Sequence, residues 1–238
     1  MAKARRKPWW RRCLRLLVLA TFVWFVAGIV TVLALRFVPP PVSAVMLQDW
    51  LAAQWRGDAR YRLRYQWVDW NAVTPLVPLS LVAAEDQRFP VHHGFDFEQI
   101  QKALDAADEG ARLRGASTIS QQVAKNLFLW NGRSFLRKGL EAYFTVLIEA
   151  LWPKRRILEM YLNIAQFGEG TYGVGAASRV YFRTRPDRLD AQQAALLAAV
   201  LPNPLRLRID RPSAYVLRRA AWIRQQTQAL GGTAWLPH

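Results

Sequence analysis

Leu79-Ser80-Leu81-Val82-Ala83-Ala84-Glu85-Asp86-Gln87-Arg88-Phe89-Pro90-Val91-His92-His93-Gly94 runs from an uncharged apolar stretch straight into two adjacent carboxylates. Read as a helix, it puts Leu81, Glu85 and Phe89 on one stripe, because residues four apart share a helix face. Glu85 then looks toward an apolar wall, while Asp86 turns about 100° away toward water or an N–H partner. A carboxylate beside apolar surface has its charged form disfavoured, which raises its pKa toward the range of a general base. The same pair also reads as two ordinary acids on a solvated helix, so the rest of the chain must decide.

Upstream, the charge distribution is informative. The chain of 238 residues is 52% hydrophobic, enough for one medium domain with a sizeable core and an appendage. Its formal charge of +16 suits nucleic acid, an anionic membrane or a phosphate-bearing substrate. Lys3, Arg5, Arg6, Lys7, Arg11, Arg12 and Arg15 gather in a tail without an acid, and the lone Cys13 excludes an intrachain disulfide. Leu16 to Leu35 carries no charge, and about 20 apolar residues match the hydrocarbon thickness of a bilayer. The expected organisation is a cytoplasmic basic tail at 1–15, a transmembrane anchor at 16–37, a juxtamembrane segment at 38–70 and the main domain at 71–238. The tail, with Trp9 and Trp10, suits the cytoplasmic headgroup zone, so the rest of the chain is exported. A cleaved signal peptide is the rival, with Val42-Ser43-Ala44 as a weak cleavage site. The apolar run exceeds the usual h-region, however, and Pro39-Pro40-Pro41 reads as a rigid exit from an uncleaved anchor.

Tyr61 to Val68 alternates apolar and polar residues for most of its length and is the one stretch that reads as a strand. Downstream the pattern is helical, near 96–109, 117–129, 134–151, 154–165, 173–182, 189–201 and 213–229. Asp96 with Gln99 reads as a capping box, Ser117 and Ser213 as caps, and Pro153 as a helix start. The main domain is therefore expected to be mainly α.

Further polar stretches follow. In Gly115-Ala116-Ser117-Thr118-Ile119-Ser120-Gln121-Gln122-Val123-Ala124-Lys125-Asn126, Thr118, Gln122 and Lys125 line one helix face and offer hydroxyl, amide and ammonium groups to a sugar or phosphate. In Arg133-Ser134-Phe135-Leu136-Arg137-Lys138-Gly139-Leu140-Glu141, Arg137 and Lys138 stand four and three residues before Glu141. A surface ion-pair cluster explains that spacing, as does a basic field able to stabilise a leaving pyrophosphate. In Lys154 to Asn163, Glu159 and Asn163 share a face suited to buttressing the cleft by hydrogen bonds rather than to reacting. Gly168, Gly170 and Gly173 match G-x-G-x-x-G, but a helical segment precedes them where a dinucleotide site needs a buried strand. His92-His93 lacks metal-site spacing, so His92 is expected to orient the turn or bond to backbone. No S-x-x-K or K-T-G appears, so an acyl-serine transpeptidase is not encoded. Leu127-Phe128-Leu129-Trp130 is expected as an apolar lip at the membrane interface.

Taken in order, E-D-x-x-F-x-x-H-x-G at Glu85–Gly94, G-x-S-T-I-x-Q-Q-x-x-K-N at Gly115–Asn126, R-K-x-x-E at Arg137–Glu141 and K-x-x-I-L-E-x-Y-L-N at Lys154–Asn163 resemble the family-51 glycosyltransferases, the peptidoglycan glycan polymerases. The likeness continues through Tyr172-Gly173-Val174 and Tyr181-Phe182 to Leu201-Pro202-Asn203-Pro204, and the chain looks like the membrane-anchored, monofunctional type. The resemblance implies a lysozyme-like α-helical lobe with a small membrane-facing lobe behind one transmembrane helix. It implies lipid II and the growing lipid-linked chain as substrates. Glu85 would be the base and Glu141 the second catalytic glutamate, with Lys125, Arg133, Arg137 and Lys138 at the pyrophosphate. Asp86, Ser117, Thr118, Gln121, Gln122 and Asn126 would shape the cleft. No cofactor is required by it, with a divalent metal, Mg²⁺ or Mn²⁺, as an option at the leaving group. It implies an inner-membrane location with the catalytic domain in the periplasm, and other cell-wall synthesis proteins as candidate partners. Nucleic acid is not expected. The competing readings are a lytic enzyme of lysozyme type and a non-enzymatic membrane scaffold.

Overall fold

The computed structural model describes residues 9–108, 117–132 and 134–232. They fall into two units, one ending at Val38 and the other starting at Pro39. The first is a single helix, α1 (Trp9–Leu35), of 27 residues, long and apolar enough to cross a membrane. It starts earlier than the charge boundary suggests, because Arg11, Arg12 and Arg15 are good helix formers and their stems extend an apolar helix while their heads reach water. The chain leaves the helix after Leu35, ahead of the prolines.

The segment expected as a separate juxtamembrane piece belongs to the second unit. Helix α2 (Ala44–Trp55) is capped by Ser43 and packs on α5 (Ile119–Phe128). Its Gln48 donates to Leu129 O at 2.8 Å and accepts from Asn131 N at 3.0 Å, fixing the turn after α5. The expected strand shrinks to β1 (Arg64–Tyr65), which pairs parallel to β3 (Thr171–Tyr172), itself antiparallel to β2 (Gln166–Gly168). The glycines rejected as a nucleotide site serve this small sheet. A Cβ on Gly170 would stand 2.3 Å from Arg62 O and one on Gly173 2.5 Å from Asn163 O, and both have positive φ. Just beyond β1, Asn163 receives Val68 N at 2.7 Å and donates to Val68 O at 2.9 Å, while Glu159 receives Trp70 N at 2.8 Å. These two residues thus buttress the 68–70 segment and not the cleft as expected.

Helix α3 (Leu76–Glu85) is apolar on all sides, so it is buried on all sides, from Val77 through Ala83. Pro78 is tolerated in its first turn, where backbone N–H groups lack helical partners anyway. Around it stand α7 (Lys154–Ile164), α9 (Ala191–Val200) and α10 (Ala214–Ala229). The small residues Ala194, Ala195, Ala198 and Ala199 let α9 approach closely. Burial of Val77, Leu79, Leu81 and Val82 contributes about 1.5–3 kcal/mol per side chain, enough for α3 to hold a carboxylate at its end. Helix α4 (Phe97–Asp108) and α6 (Phe135–Leu151) follow the expected spans, with Asp96 receiving Gln99 N at 3.1 Å. The short helix α8 (Gly173–Ala177) continues as a π-helical turn through Phe182.

Two local expectations are corrected. Helix α3 stops at Glu85, so Phe89 is buried from a turn and does not share a helix stripe with Leu81 and Glu85. The apolar lip is largely folded inward: Leu127 and Leu129 are buried and Phe128 stacks on Phe144 at 4.3 Å, which leaves Trp130 as its exposed member.

Candidate active site

Glu85 ends α3 with its side chain 14% exposed. Gln122 Nε2 donates to Oε2 at 3.1 Å, and Arg219 of α10 lies 3.6 Å from Oε1. The Gln122 amide is oriented in turn by Tyr161, whose hydroxyl donates to its Oε1 at 2.9 Å. Burial is the largest influence on Glu85 and pushes its carboxyl above the ordinary range. The Gln122 hydrogen bond and Arg219 pull it back, Asp86 pushes it further up, and Lys125 lowers it. The net upward direction is the one that suits a carboxylate acting as a general base.

Asp86 turns away, as its place next to Glu85 requires, and finds N–H partners. Its Oδ2 accepts from Ile119 N at 2.9 Å, at the start of α5, where the helix dipole favours an anion. His92 Nε2 lies 2.9 Å from both Asp86 oxygens, and Gly94 N donates to His92 Nδ1 at 3.2 Å. With Nδ1 accepting, Nε2 carries the hydrogen and donates to Asp86. His92 thus orients the turn, and Asp86 joins α3 to α5. The turn is clamped from below: Lys154 Nζ donates to His92 O at 2.6 Å, pairs with Glu149 at 2.8 Å and sits over the Phe89 ring.

The cap of α5 is Thr118, one residue beyond the expected Ser117. Its Oγ1 accepts from Gln121 N at 3.2 Å, the Gln121 side chain accepts from Thr118 N at 3.0 Å, and Oγ1 donates to Gly94 O at 2.7 Å. Thr118 and Gln121 are buried and engaged in this box, and Thr118 also lines the cleft beside Glu85. Ser117 is exposed.

Two polar clefts lie nearby, the first walled by Glu85 itself and the second by its partner Gln122. One, of about 310 Å³, is lined by Glu85, Asp86, Arg88, Gln99, Ser117 and Trp222 among others. The other, of about 190 Å³, includes Gln122, Lys125, Asn126, Asn131, Tyr161 and Gln166. Lys125 is partly buried, and burial lowers its pKa. Glu141 and Glu85 counter that shift, whereas Arg137 and Lys138 add to it, which places these charges within electrostatic reach of one another. Glu141 itself is 3% exposed, with Arg137 on Oε2 at 2.6 Å and Lys138 against Oε1. Both oxygens are taken, so the surface-pair reading gives way to a buried carboxylate that holds two cations in place. Among the described residues no three His, Cys, Asp or Glu converge, and this saturated carboxylate does not fit a protein-held Mg²⁺ or Mn²⁺. Arg133 and Gly115 lie outside the described residues. Sequence reasoning missed Arg219, Trp222 and Tyr161; the first two come from a distant helix, and no local pattern marks them.

One carboxylate with a single amide donor and a cation at 3.6 Å, and another closed by two cations, suit group transfer from an anionic leaving group better than a two-acid hydrolase. The transglycosylase family model matches residues 53–228, and the chain belongs to that family. A biosynthetic peptidoglycan transglycosylase of Xylella fastidiosa (strain 9a5c) is 53% identical over 236 residues, covering 98% of this chain and 94% of that protein. The protein of that name from Xanthomonas campestris pv. campestris (strain B100) is 53% identical over 95% of this chain and 92% of its own length. That from Xanthomonas euvesicatoria pv. vesicatoria (strain 85-10) is 52% identical over 95% and 91%.

Proposed function

We infer that this transglycosylase polymerises peptidoglycan glycan strands, using lipid II as acceptor and Glu85 as the general base. The observation that carries the reading is the unequal state of the two glutamates. Glu85 has one amide donor and a cation at 3.6 Å, with its pKa raised, whereas Glu141 is closed by Arg137 and Lys138.

Glu85 takes the proton of the acceptor GlcNAc 4-hydroxyl as that oxygen attacks C1 of the MurNAc on the growing chain. The bond from C1 to the phosphate oxygen breaks with inversion, giving a β-1,4 linkage, and undecaprenyl pyrophosphate leaves. Lys125, Arg137 and Lys138, with Arg133, meet the departing negative charge, and Glu141 positions two of these cations. Ser117 and Asn126 contact the glycan or pyrophosphate, Gln122 orients Glu85, and Asp86 holds the turn and α5 in register. No step is routed through a metal. The N-terminal helix keeps the domain beside a lipid substrate that stays in the bilayer. Arg11, Arg12 and Arg15 at its N-terminal end set that end in the cytoplasm and the catalytic unit in the periplasm of a cell with an inner membrane. Other wall-building proteins are the partners this placement makes available.

The test is incubation of the detergent-solubilised chain with labelled lipid II, followed by gel separation. A product ladder that lysozyme digests is expected. Release of soluble muropeptides from purified sacculi, with no ladder from lipid II, would replace this reading with the lytic one.

A further inference from the structure

The larger cleft beside Glu85 is chemically unlike the smaller one. Apart from Glu85, its charged side chains are committed: Arg88 is paired with Asp96 and with Glu98, and Asp86 is held by His92 and Ile119 N. No cation in its described wall is left to meet a phosphate. What the wall does present is neutral hydrogen-bonding chemistry, from Ser117 and Gln99, and one broad aromatic surface, Trp222.

Trp222 stands three residues after Arg219 on α10, so the helix face that brings a guanidinium to Glu85 also brings this indole to the same cleft. Its neighbour Ile223 is fully buried in the core, whereas Trp222 keeps 42% of its surface exposed. A flat apolar ring edged by hydroxyl and amide groups matches a pyranose, whose axial C–H bonds stack on an aromatic face while its ring substituents hydrogen-bond at the rim.

We propose that Trp222 is a stacking platform for an uncharged N-acetylhexosamine ring of the glycan, so that the larger cleft holds sugar while the Lys125 cleft holds pyrophosphate. The proposal rests on the reading of the chain as a glycan polymerase and adds a residue that sets how the sugar sits against Glu85.

The test uses the full chain in detergent with two probes, the uncharged β-1,4-linked tetramer of N-acetylglucosamine and inorganic pyrophosphate, followed by calorimetry, beside lipid II kinetics. Trp222→Ala removes the ring, Trp222→Leu keeps an apolar wall without a flat face, and Trp222→Phe restores a smaller face. Ala and Leu should each weaken tetramer binding about tenfold and Phe by less, as expected for loss of an aromatic anchor. Pyrophosphate binding should be unchanged, and KM for lipid II should rise more than kcat falls. Equal tetramer binding by wild type and the Leu variant overturns the proposal, as does a wild type that does not bind the tetramer. A lysozyme-sensitive ladder from wild-type protein in the same series keeps the polymerase reading intact if the platform fails.

Discussion

Glu85 and Asp86 are consecutive, yet their surroundings divide them into different tasks. The helix end leaves Glu85 against apolar packing with an amide donor and a cation at a distance, while Asp86 is consumed by a helix N-terminus and a histidine. The pH dependence of turnover should report this. A general base works only when deprotonated, so the acid limb of the kcat/KM profile follows the Glu85 pKa. Arg219 lowers that pKa, and Arg219→Gln removes the lowering influence without removing the base. The acid limb should move to higher pH, with activity at high pH recovering toward wild type. An unmoved limb, or a loss equal at every pH, would deny Arg219 this role.

At the scale of elements, α5 carries Gln122, Lys125 and Asn126, and its start is fixed three times: by Thr118, by Gln121 and by Asp86 on Ile119 N. Thr118→Ala should cost about 1–2 kcal/mol in denaturant unfolding, since it removes a helix cap together with the tie to Gly94 O, and Thr118→Ser should recover most of it. Much of this layer was legible in the sequence. The carboxylate pair, the Gln122 and Lys125 face and the Arg137, Lys138 and Glu141 spacing are short-range patterns, and helix periodicity places them within a residue or two. The cap at Thr118 instead of Ser117 shows the grain of such reading, because both hydroxyls suit the position and Gly94 O selects one. Arg219 and Trp222 were illegible for a physical reason: α10 reaches the cleft by packing on α3, and nothing within α10 records where α3 ends. Strands β2 and β3 escaped notice because two or three residues around glycines carry no alternation of their own.

For the molecule as a whole, the helix Trp9–Leu35 is long and apolar enough to cross a membrane, and the proposed orientation rests on the arginines at its N-terminal end. Replacing Arg11, Arg12 and Arg15 together with Glu should reduce the share of chains whose catalytic unit is exported, read by protease protection in sealed vesicles; an unchanged protection pattern would assign orientation to another part of the chain. In the proposed reaction the chemistry turns on one carboxylate, Glu85. The deciding measurement is the single-turnover rate of lipid II coupling by Glu85→Gln, made with enzyme in excess over substrate and with lipid II binding measured in parallel. Gln keeps the shape of the side chain and removes the proton acceptor, so binding should persist while coupling falls by about 100-fold or more, the contribution typical of a positioned base. Coupling at the wild-type rate by a variant that still binds lipid II would contradict the assignment of Glu85 as the base.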